Sequence, residues 1–182
     1  MNRLFIALKI PDEIREKIIN LRNEAFPNFR KFKWESEDKI HLTLKFIGEV
    51  SEEITDQIAS KIRFIEEYKK FDCSLTKFGF FFKQNTAKIL WLGLSIDNQI
   101  FELVEKLNIE LEKFSIPSEK RKFQPHLTLK RMKGDEGKNF IESFEEFKIP
   151  KIEFEAGKVA LMKSELFPTG SRYSEIKLYL LK

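Results

Sequence analysis

The most constraining feature of this sequence is a four-residue motif that occurs twice, as His41-Leu42-Thr43-Leu44 (the first motif) and as His126-Leu127-Thr128-Leu129 (the second motif). The two motifs contain both histidines of the 182-residue chain. Each motif follows, at nearly the same distance, a short apolar run typical of a buried strand, residues 4–8 in one case and 90–94 in the other. The chain therefore carries one pattern in two copies.

A helix is predicted between the apolar run and the motif in each copy. The helix-start signals are Pro11-Asp12 and Asp97-Asn98. Apolar residues then recur at helical spacing, at Ile14, Ile18 and Leu21 and again at Ile100, Val104 and Leu107. The repeated order of strand, helix and strand predicts an internal duplication within a single domain, 1–182, whose halves, roughly 1–86 and 87–182, are related by a pseudo-two-fold axis.

The rest of the sequence predicts an α+β fold. Strands that arrive in adjacent pairs favour antiparallel sheets covered by helices on one face. We therefore expect a bilobal molecule with two antiparallel sheets, flanking helices and an active cleft between the lobes. The predicted strands are 3–9, 31–35, 40–47, 71–80, 87–95, 124–131, 150–163 and 172–181, and the predicted helices are 12–24, 51–67, 98–114 and 137–146.

Each motif places an imidazole beside a hydroxyl, because side chains alternate along an extended backbone. One such motif alone is an ordinary strand fragment, but two identical ones that use every histidine favour catalysis. An imidazole, with an ordinary pKa of about 6.5, is a general base when neutral and a general acid when protonated. Two imidazoles, with hydroxyls that can hold phosphate oxygens, indicate phosphodiester cleavage without a metal.

Composition limits the other functional classes. The chain is 42% hydrophobic with 19 Phe, which is enough for a core. No apolar stretch is long enough to span a membrane and the N-terminus does not resemble a signal peptide, so we expect a cytoplasmic protein without membrane contact. No feature of the sequence indicates self-association, and we expect a monomer. Cys73 lies alone in an alternating strand pattern, which favours a buried thiol. Two histidines and one cysteine do not form a zinc ligand set, and we expect no metal and no cofactor.

Clusters of cations indicate an anionic partner, although the net charge is only +4. The segment Phe29-Arg30-Lys31-Phe32-Lys33-Trp34 fits either a surface that stacks bases or a strand that buries Phe32 and Trp34. Two further clusters, Lys120-Arg121-Lys122 and Lys130-Arg131-Met132-Lys133, flank the second motif. We expect at least one of these cations to contact a substrate phosphate.

Four segments that together span nearly the whole chain carry a resemblance to a known family. They are Arg3-Leu4-Phe5-Ile6-Ala7-Leu8, Trp34 ahead of His41-Leu42-Thr43-Leu44-Lys45-Phe46-Ile47-Gly48-Glu49, Phe123-Gln124-Pro125-His126-Leu127-Thr128-Leu129-Lys130-Arg131, and Ser164-Glu165-Leu166 through Gly170 to Tyr173. They resemble the two-histidine (2H) phosphoesterase superfamily, and within it the RNA 2′,3′-cyclic phosphodiesterases, also called 2′-5′ RNA ligases. The resemblance implies a bilobal α+β fold with an internal pseudo-repeat.

The resemblance also implies roles for five residues. His41 matches the proton donor to the leaving group, and His126 matches the proton acceptor for the attacking water. Thr43 and Thr128 match the phosphate-contacting threonines, and Arg131 matches a phosphate-binding arginine found in many members. Strict alternation from His126 places Arg131 on the opposite face of the strand unless the strand bulges first. Lys130, where smaller residues are usual in the family, adds a cation.

The reaction implied by the resemblance is hydrolysis of an RNA 2′,3′-cyclic phosphate end to a 2′-phosphomonoester, so the expected partner is RNA with that terminus. Attack by an RNA 5′-hydroxyl in place of water would make the same site a 2′-5′ RNA ligase. A catalytically silent RNA-binding module is the third interpretation. A pure binder would keep its affinity for RNA after both histidines are replaced, whereas the two enzymatic interpretations require both imidazoles.

Overall fold

The fold is described here from a computed structural model, which covers residues 1–168 and 170–182. Four α-helices are present in these residues: α1 Asp12–Ala25, α2 Glu52–Lys61, α3 Gln99–Glu112 and α4 Lys138–Glu146. The strands are β1 Asn2–Lys9, β2 His41–Val50, β3 Phe71–Lys83, β4 Thr86–Ile96, β5 His126–Arg131, β6 Glu153–Ala156, β7 Lys158–Phe167 and β8 Gly170–Leu180. Short 3-10 turns occupy Phe29–Lys31, Glu37–Lys39 and Ile62–Glu67. No helix in the described residues is long and apolar enough to cross a membrane.

The strands form one antiparallel sheet in the order β6-β3-β4-β5-β2-β1-β7-β8. The α+β class is confirmed, but the expectation of two separate sheets is wrong. The two four-stranded halves are joined where β2 and β5 pair through Leu42 and Leu127. The sequence could not show this join, because a single bridging pair leaves no periodicity of its own. The two histidine motifs are thus the inner strands of a continuous sheet.

The sheet curls until its outer strands approach each other at Gly157. Ala156 pairs with Phe71 at one edge of the sheet, while Lys158 pairs with Leu180 at the other. The strand predicted over 150–163 is therefore two strands that belong to opposite halves. A Cβ atom at Gly157 would lie 3.0 Å from the Lys70 side chain, so the close approach favours glycine at this point.

The helices form for reasons that the sequence shows. Ser51 caps α2 by accepting a hydrogen bond from the Ile54 N–H, and acidic residues follow in the first turn. In α1 and α3 the apolar residues at helical spacing are buried in the main hydrophobic core. Leu42 and Leu127 belong to this same core and are fully buried. The alternate residues of both motifs, His and Thr, must therefore lie on the face of the sheet away from that core.

The strand predicted over 31–35 is not present. A 3-10 turn covers Phe29–Lys31 and irregular chain follows it. Phe32 and Trp34 pack against Phe140 of α4, and the Trp34 indole N–H donates a hydrogen bond to the Phe29 carbonyl. The alternation of this segment therefore reflects packing onto a helix, and in the described residues its backbone-to-backbone bonding with a strand is limited to the hydrogen bond from the Glu35 N–H to the Leu129 carbonyl of β5.

Strand pairing gives the two motifs equivalent neighbours, with a small change of register from the predicted repeat. Leu8 of β1 pairs with Leu42 of the first motif, and Leu92 of β4 pairs with Leu127 of the second. By pairing, Leu8 therefore corresponds to Leu92 and not to Leu94, as the spacing of the apolar runs suggested. The common order is β1-α1-β2 and β4-α3-β5.

Candidate active site

The two motifs meet at the join between the half-sheets. Antiparallel register through the Leu42 and Leu127 pair sets His41 across from Thr128 and His126 across from Thr43. All four side chains line one cavity of about 120 Å³. This volume equals that of about four water molecules in the liquid, so the cavity suits a single phosphate group.

Arg131 lines the same cavity because β5 bulges. Thr128 pairs with Trp91 and Lys130 pairs with Leu90, which leaves Leu129 as an extra residue. The extra residue reverses the alternation, so Arg131 returns to the face that carries His126. Its guanidinium lies 3.4 Å from a carboxylate oxygen of Glu35, and the side chain is otherwise exposed at the cavity wall. Arg131 therefore lies at the cavity, which the alternation of side chains allowed only if the strand bulged before it.

The same bulge occurs in β2. Ala7 pairs with Thr43 and Ile6 pairs with Lys45, which leaves Leu44 as the extra residue. Phe46 consequently lines the cavity at the position that Arg131 has in β5. Each motif is therefore followed by a bulge that turns one further side chain towards the cavity, a phenyl ring in one half and a guanidinium in the other.

His126 is oriented by a hydrogen bond to the main chain two residues before it. Its Nδ1 lies 2.7 Å from the Gln124 carbonyl oxygen, which can only accept, so Nδ1 carries the proton and donates it. In the neutral ring this leaves the Nε2 lone pair free. Phe81 contacts the imidazole edge to face, with ring centres 4.9 Å apart. The neutral ring is therefore the tautomer that can act as a general base through Nε2.

His41 is enclosed by aromatic rings. Phe5 stacks on its imidazole with ring centres 5.1 Å apart, and Tyr173 meets it edge to face at 5.6 Å. This burial lowers the pKa of His41 to about 4, although a hydrogen bond to the Lys39 carbonyl and the charge of Asp38 favour the protonated ring. His41 is therefore neutral near pH 7 when the cavity holds no anion.

Lys130 does not add a cation to the cavity. The bulge that exposes Arg131 turns Lys130 into the interior, where 1% of its surface is exposed. Its ammonium pairs with Glu136 at 2.9 Å and donates to the Lys33 carbonyl. Lys45, at the corresponding place in β2, is also buried and donates to the Pro117 carbonyl at 2.6 Å. Both lysines support the back of the site instead of binding substrate.

The other cationic clusters divide in a similar way. Lys120, Arg121 and Lys122 are exposed and are not among the residues that line the cavity between the two motifs. Phe32 and Trp34 pack into the protein and are not a surface for stacking bases. The remaining lining residues were given no role by the sequence, although two of the segments that carry the resemblance contain several of them. They are Arg3, Leu4, Phe5, Glu35, Lys39, Ser164, Ser171 and Tyr173.

Cys73 is buried, as predicted, and burial raises the pKa of its thiol to about 12. A thiol that stays protonated at neutral pH is a poor nucleophile. Among the described residues, no three or more His, Cys, Asp or Glu side chains are grouped so that they could hold a metal ion.

A model of the family described as "LigT like Phosphoesterase" matches residues 8–91 and 93–173 of the chain. The chain belongs to this family. It is accordingly an enzyme of the phosphoesterase class. Each of the two matched segments contains one of the histidine motifs.

Relatives of similar length support the assignment to the LigT-like phosphoesterases. A Methanocaldococcus jannaschii protein named RNA 2′,3′-cyclic phosphodiesterase is 32% identical over 96% of this chain and 98% of its own. A Thermotoga maritima protein of the same name is 30% identical over 94% of this chain and 91% of its own.

Solved structures agree with this fold. The crystal structure of the Thermus thermophilus protein TT0787 is similar, with a TM-score of 0.79 and 26% identity over 98% of this chain and 97% of that one. E. coli LigT complexed with 3′-AMP is also similar, with a TM-score of 0.76 and 27% identity over 100% of this chain and 98% of that one.

Proposed function

We propose that this enzyme hydrolyses RNA 2′,3′-cyclic phosphate ends to 2′-phosphomonoesters by metal-independent acid and base catalysis. The observation that carries the proposal is the single cavity in which both imidazoles and both threonines converge. Such a pair can deprotonate an attacking oxygen and protonate a leaving oxygen of the same phosphorus atom. Two imidazoles supply both proton transfers, so the reaction requires no metal ion.

His126 is the proton acceptor in this proposal. The Gln124 carbonyl holds the proton on Nδ1 and leaves Nε2 free to take a proton from water. The water attacks phosphorus in line with the bond to the ribose 3′-oxygen. That bond breaks, the 2′-oxygen keeps the phosphate, and the product is a 2′-phosphomonoester.

His41 is the proton donor, and it must gain its proton before the 3′-oxygen leaves. Burial keeps the ring neutral in the free enzyme. A cyclic phosphate carries one negative charge, and an anion beside the imidazole favours the protonated form. We therefore propose that substrate binding raises the pKa of His41 and draws in the proton that the leaving oxygen receives.

The remaining lining side chains bind the phosphate. Thr43 and Thr128 can each donate an O–H hydrogen bond to a non-bridging oxygen. Arg131 contributes a charge-assisted contact from the wall of the cavity. These groups compensate the negative charge on the phosphate oxygens as the ring opens.

We also propose that residues 1–182 form one 2H domain built from two copies, roughly 1–86 and 87–182, around a pseudo-two-fold axis. The shared strand order and the shared bulges support this proposal. One chain supplies both imidazoles, so we propose a monomer as the active form. RNA is the proposed partner and the cytoplasm the proposed compartment.

The test is incubation of the purified protein, in chelator, with a short RNA that ends in a 2′,3′-cyclic phosphate. We expect a 2′-phosphate end with the wild type and no product with His41→Ala or His126→Ala. Turnover that requires added divalent metal would contradict the mechanism. Joined RNA ends with a 2′-5′ linkage would identify a ligase, and unchanged RNA with unaltered affinity in both variants would identify a binding module.

A further inference from the structure

A second cavity adjoins the catalytic one and is lined mostly by charged residues. Its volume is about 240 Å³. The two cavities share five wall residues, so they adjoin along this wall. The shared residues are Glu35, Lys39, Arg131, Ser171 and Tyr173, and the second cavity adds Lys33, Trp34, Lys133 and Gly170.

The charge of this second cavity favours an anion. Four of its nine lining residues are cationic and one, Glu35, is acidic. Glu35 pairs with Lys39 at 3.7 Å and with Arg131 at 3.4 Å, so its single charge is shared between two cations on the boundary with the catalytic cavity. Cations therefore exceed carboxylates by three along a wall that begins at the catalytic phosphate site.

Packing places these cations at the boundary. The Lys39 ammonium lies 5.8 Å from the centre of the Tyr173 ring and within 4.0 Å of where a Cβ atom at position 170 would stand. A side chain at position 170 would therefore meet this ammonium at ordinary van der Waals distance. At the other wall, the Lys133 backbone N–H donates to a Glu136 carboxylate oxygen, which fixes the main chain while the lysine side chain remains exposed.

The second cavity is suited to phosphate and not to a stacked base. Trp34 is the largest aromatic residue in its wall. Its ring packs against the Arg22 guanidinium at 4.5 Å and against Phe140 at 5.9 Å between ring centres. The ring is therefore engaged by the protein, and the exposed Lys133 side chain offers a cation to a ligand in this cavity.

We propose that the second cavity binds the first phosphodiester upstream of the RNA 2′,3′-cyclic phosphate end, with Lys133 as a contact outside the catalytic cavity. The proposal rests on the proposed function, since it assumes that the cyclic phosphate occupies the catalytic cavity. The upstream phosphate is joined to the 5′-oxygen of the same terminal nucleoside, and the second cavity adjoins the first along their shared wall. The enzyme thereby prefers an RNA end to a free cyclic mononucleotide.

The experiment compares three substrates with the wild type and Lys133→Ala. They are adenosine 2′,3′-cyclic phosphate, the same nucleotide with a 5′-phosphate, and the dinucleotide ApA with a 2′,3′-cyclic phosphate end. For Lys133→Ala we expect KM to rise about fivefold for the two substrates that carry the upstream phosphate and to stay within about twofold for the first, with kcat unchanged. Lys151→Ala, an exposed lysine ahead of the edge strand β6, is the matched control and leaves all three KM values unchanged.

Salt dependence gives a second readout. Removal of one phosphate contact lowers the slope of log KM against log salt by about 0.7 for single-stranded RNA. An equal KM change for all three substrates, or none for any, overturns the proposal. A change confined to the dinucleotide also overturns it, because the contact would then be to the second nucleoside and not to the phosphate.

Binding separates this proposal from the proposed function. If the wild type turns over none of the substrates, the proposed function fails. Fluorescence anisotropy with a labelled RNA that ends in a 3′-phosphate then tests the cavity alone. Weaker binding and a smaller salt slope in Lys133→Ala, but not in Lys151→Ala, would support the cavity, and identical binding by all proteins would overturn it.

Discussion

The two histidine strands share a backbone and differ in their surroundings. β2 and β5 each start with the motif, bulge at its fourth residue and bury the lysine that follows. His41, however, is enclosed between Phe5 and Tyr173. His126 contacts Phe81 and directs Nδ1 at the Gln124 carbonyl oxygen. Two strands of matching pattern thus present the same two groups, and the local packing determines which form of each imidazole is favoured.

The largest expected effect comes from replacing the two imidazoles one at a time. His41→Gln and His126→Gln should each lower kcat by roughly 10² to 10⁴, the contribution of one acid or base. The variants should differ in the pH profile of the remaining activity. Loss of the acid, His41, removes the alkaline limb, and loss of the base, His126, removes the acidic limb. Initial rates with the cyclic dinucleotide from about pH 4 to pH 10 provide the measurement, and loss of the opposite limbs would reverse the two roles.

The buried lysines test whether the two halves are supported equally. Lys130→Met leaves the buried Glu136 carboxylate without its ammonium partner, and we expect a loss of about 3 to 5 kcal/mol in the free energy of unfolding. Lys45→Met removes a hydrogen bond to a backbone carbonyl, and we expect a loss of about 1 to 3 kcal/mol. Urea denaturation measures both. The double variant Lys130→Met with Glu136→Gln should recover part of the loss, and equal losses for the two lysines would contradict the difference.

Acid should destabilise the folded protein through the burial of His41. The unfolded chain protonates residue 41 near pH 6.5, whereas the folded protein does so only near pH 4. Below pH 6.5 the unfolded state therefore binds the proton first, and stability falls until about pH 4. The loss amounts to about 3 kcal/mol. His41→Gln should flatten this part of the stability curve relative to the wild type, as measured by urea unfolding at several pH values. A slope that is unchanged in this variant would show that His41 is not desolvated.

The smallest expected effect concerns the two residues that the bulges turn inward. Arg131→Met should lower kcat/KM about tenfold, because an exposed guanidinium contact to phosphate is lost. Phe46→Leu keeps the cavity wall apolar and should change kcat/KM less than about threefold. Steady-state rates at low and at about 0.3 M salt distinguish the two, since only the Arg131 effect should shrink with salt. A salt-dependent loss in Phe46→Leu would contradict the asymmetry.

Sequence predicted the repeated motif, the helices and most strands, because periodicity and capping are local signals. It did not predict the bulges at Leu44 and Leu129, since an extra residue in a strand changes which face a side chain occupies without changing composition. The sequence consequently indicated Lys130 as a cation of the site. In the structure Lys130 is buried and pairs with Glu136, so its charge does not face the cavity. The strand expected over 31–35 was wrong because alternation also fits a segment packed onto a helix.

The contribution of Lys39 and Tyr173 could not be predicted for a different reason. Tyr173 lies in β8 at the edge of the sheet, far along the chain from His41, and the two side chains meet within the half-sheet β2-β1-β7-β8. Contacts of this kind depend on the order and register of strands that are distant in the chain. The resemblance contained Tyr173 without a role, and the structure now gives it one as a wall of the cavity around His41.

The join at Leu42 and Leu127 also bears on how such an enzyme could arise. Each half of the chain contains one imidazole, and the proposed catalytic pair forms only across this join. An ancestor of half the length could have had the complete pair only by self-association, with the axis of that dimer running between the two leucines. Gene fusion would then have freed each half to vary alone, and the phenyl ring at 46 opposite the guanidinium at 131 is the kind of divergence that a symmetric dimer cannot acquire.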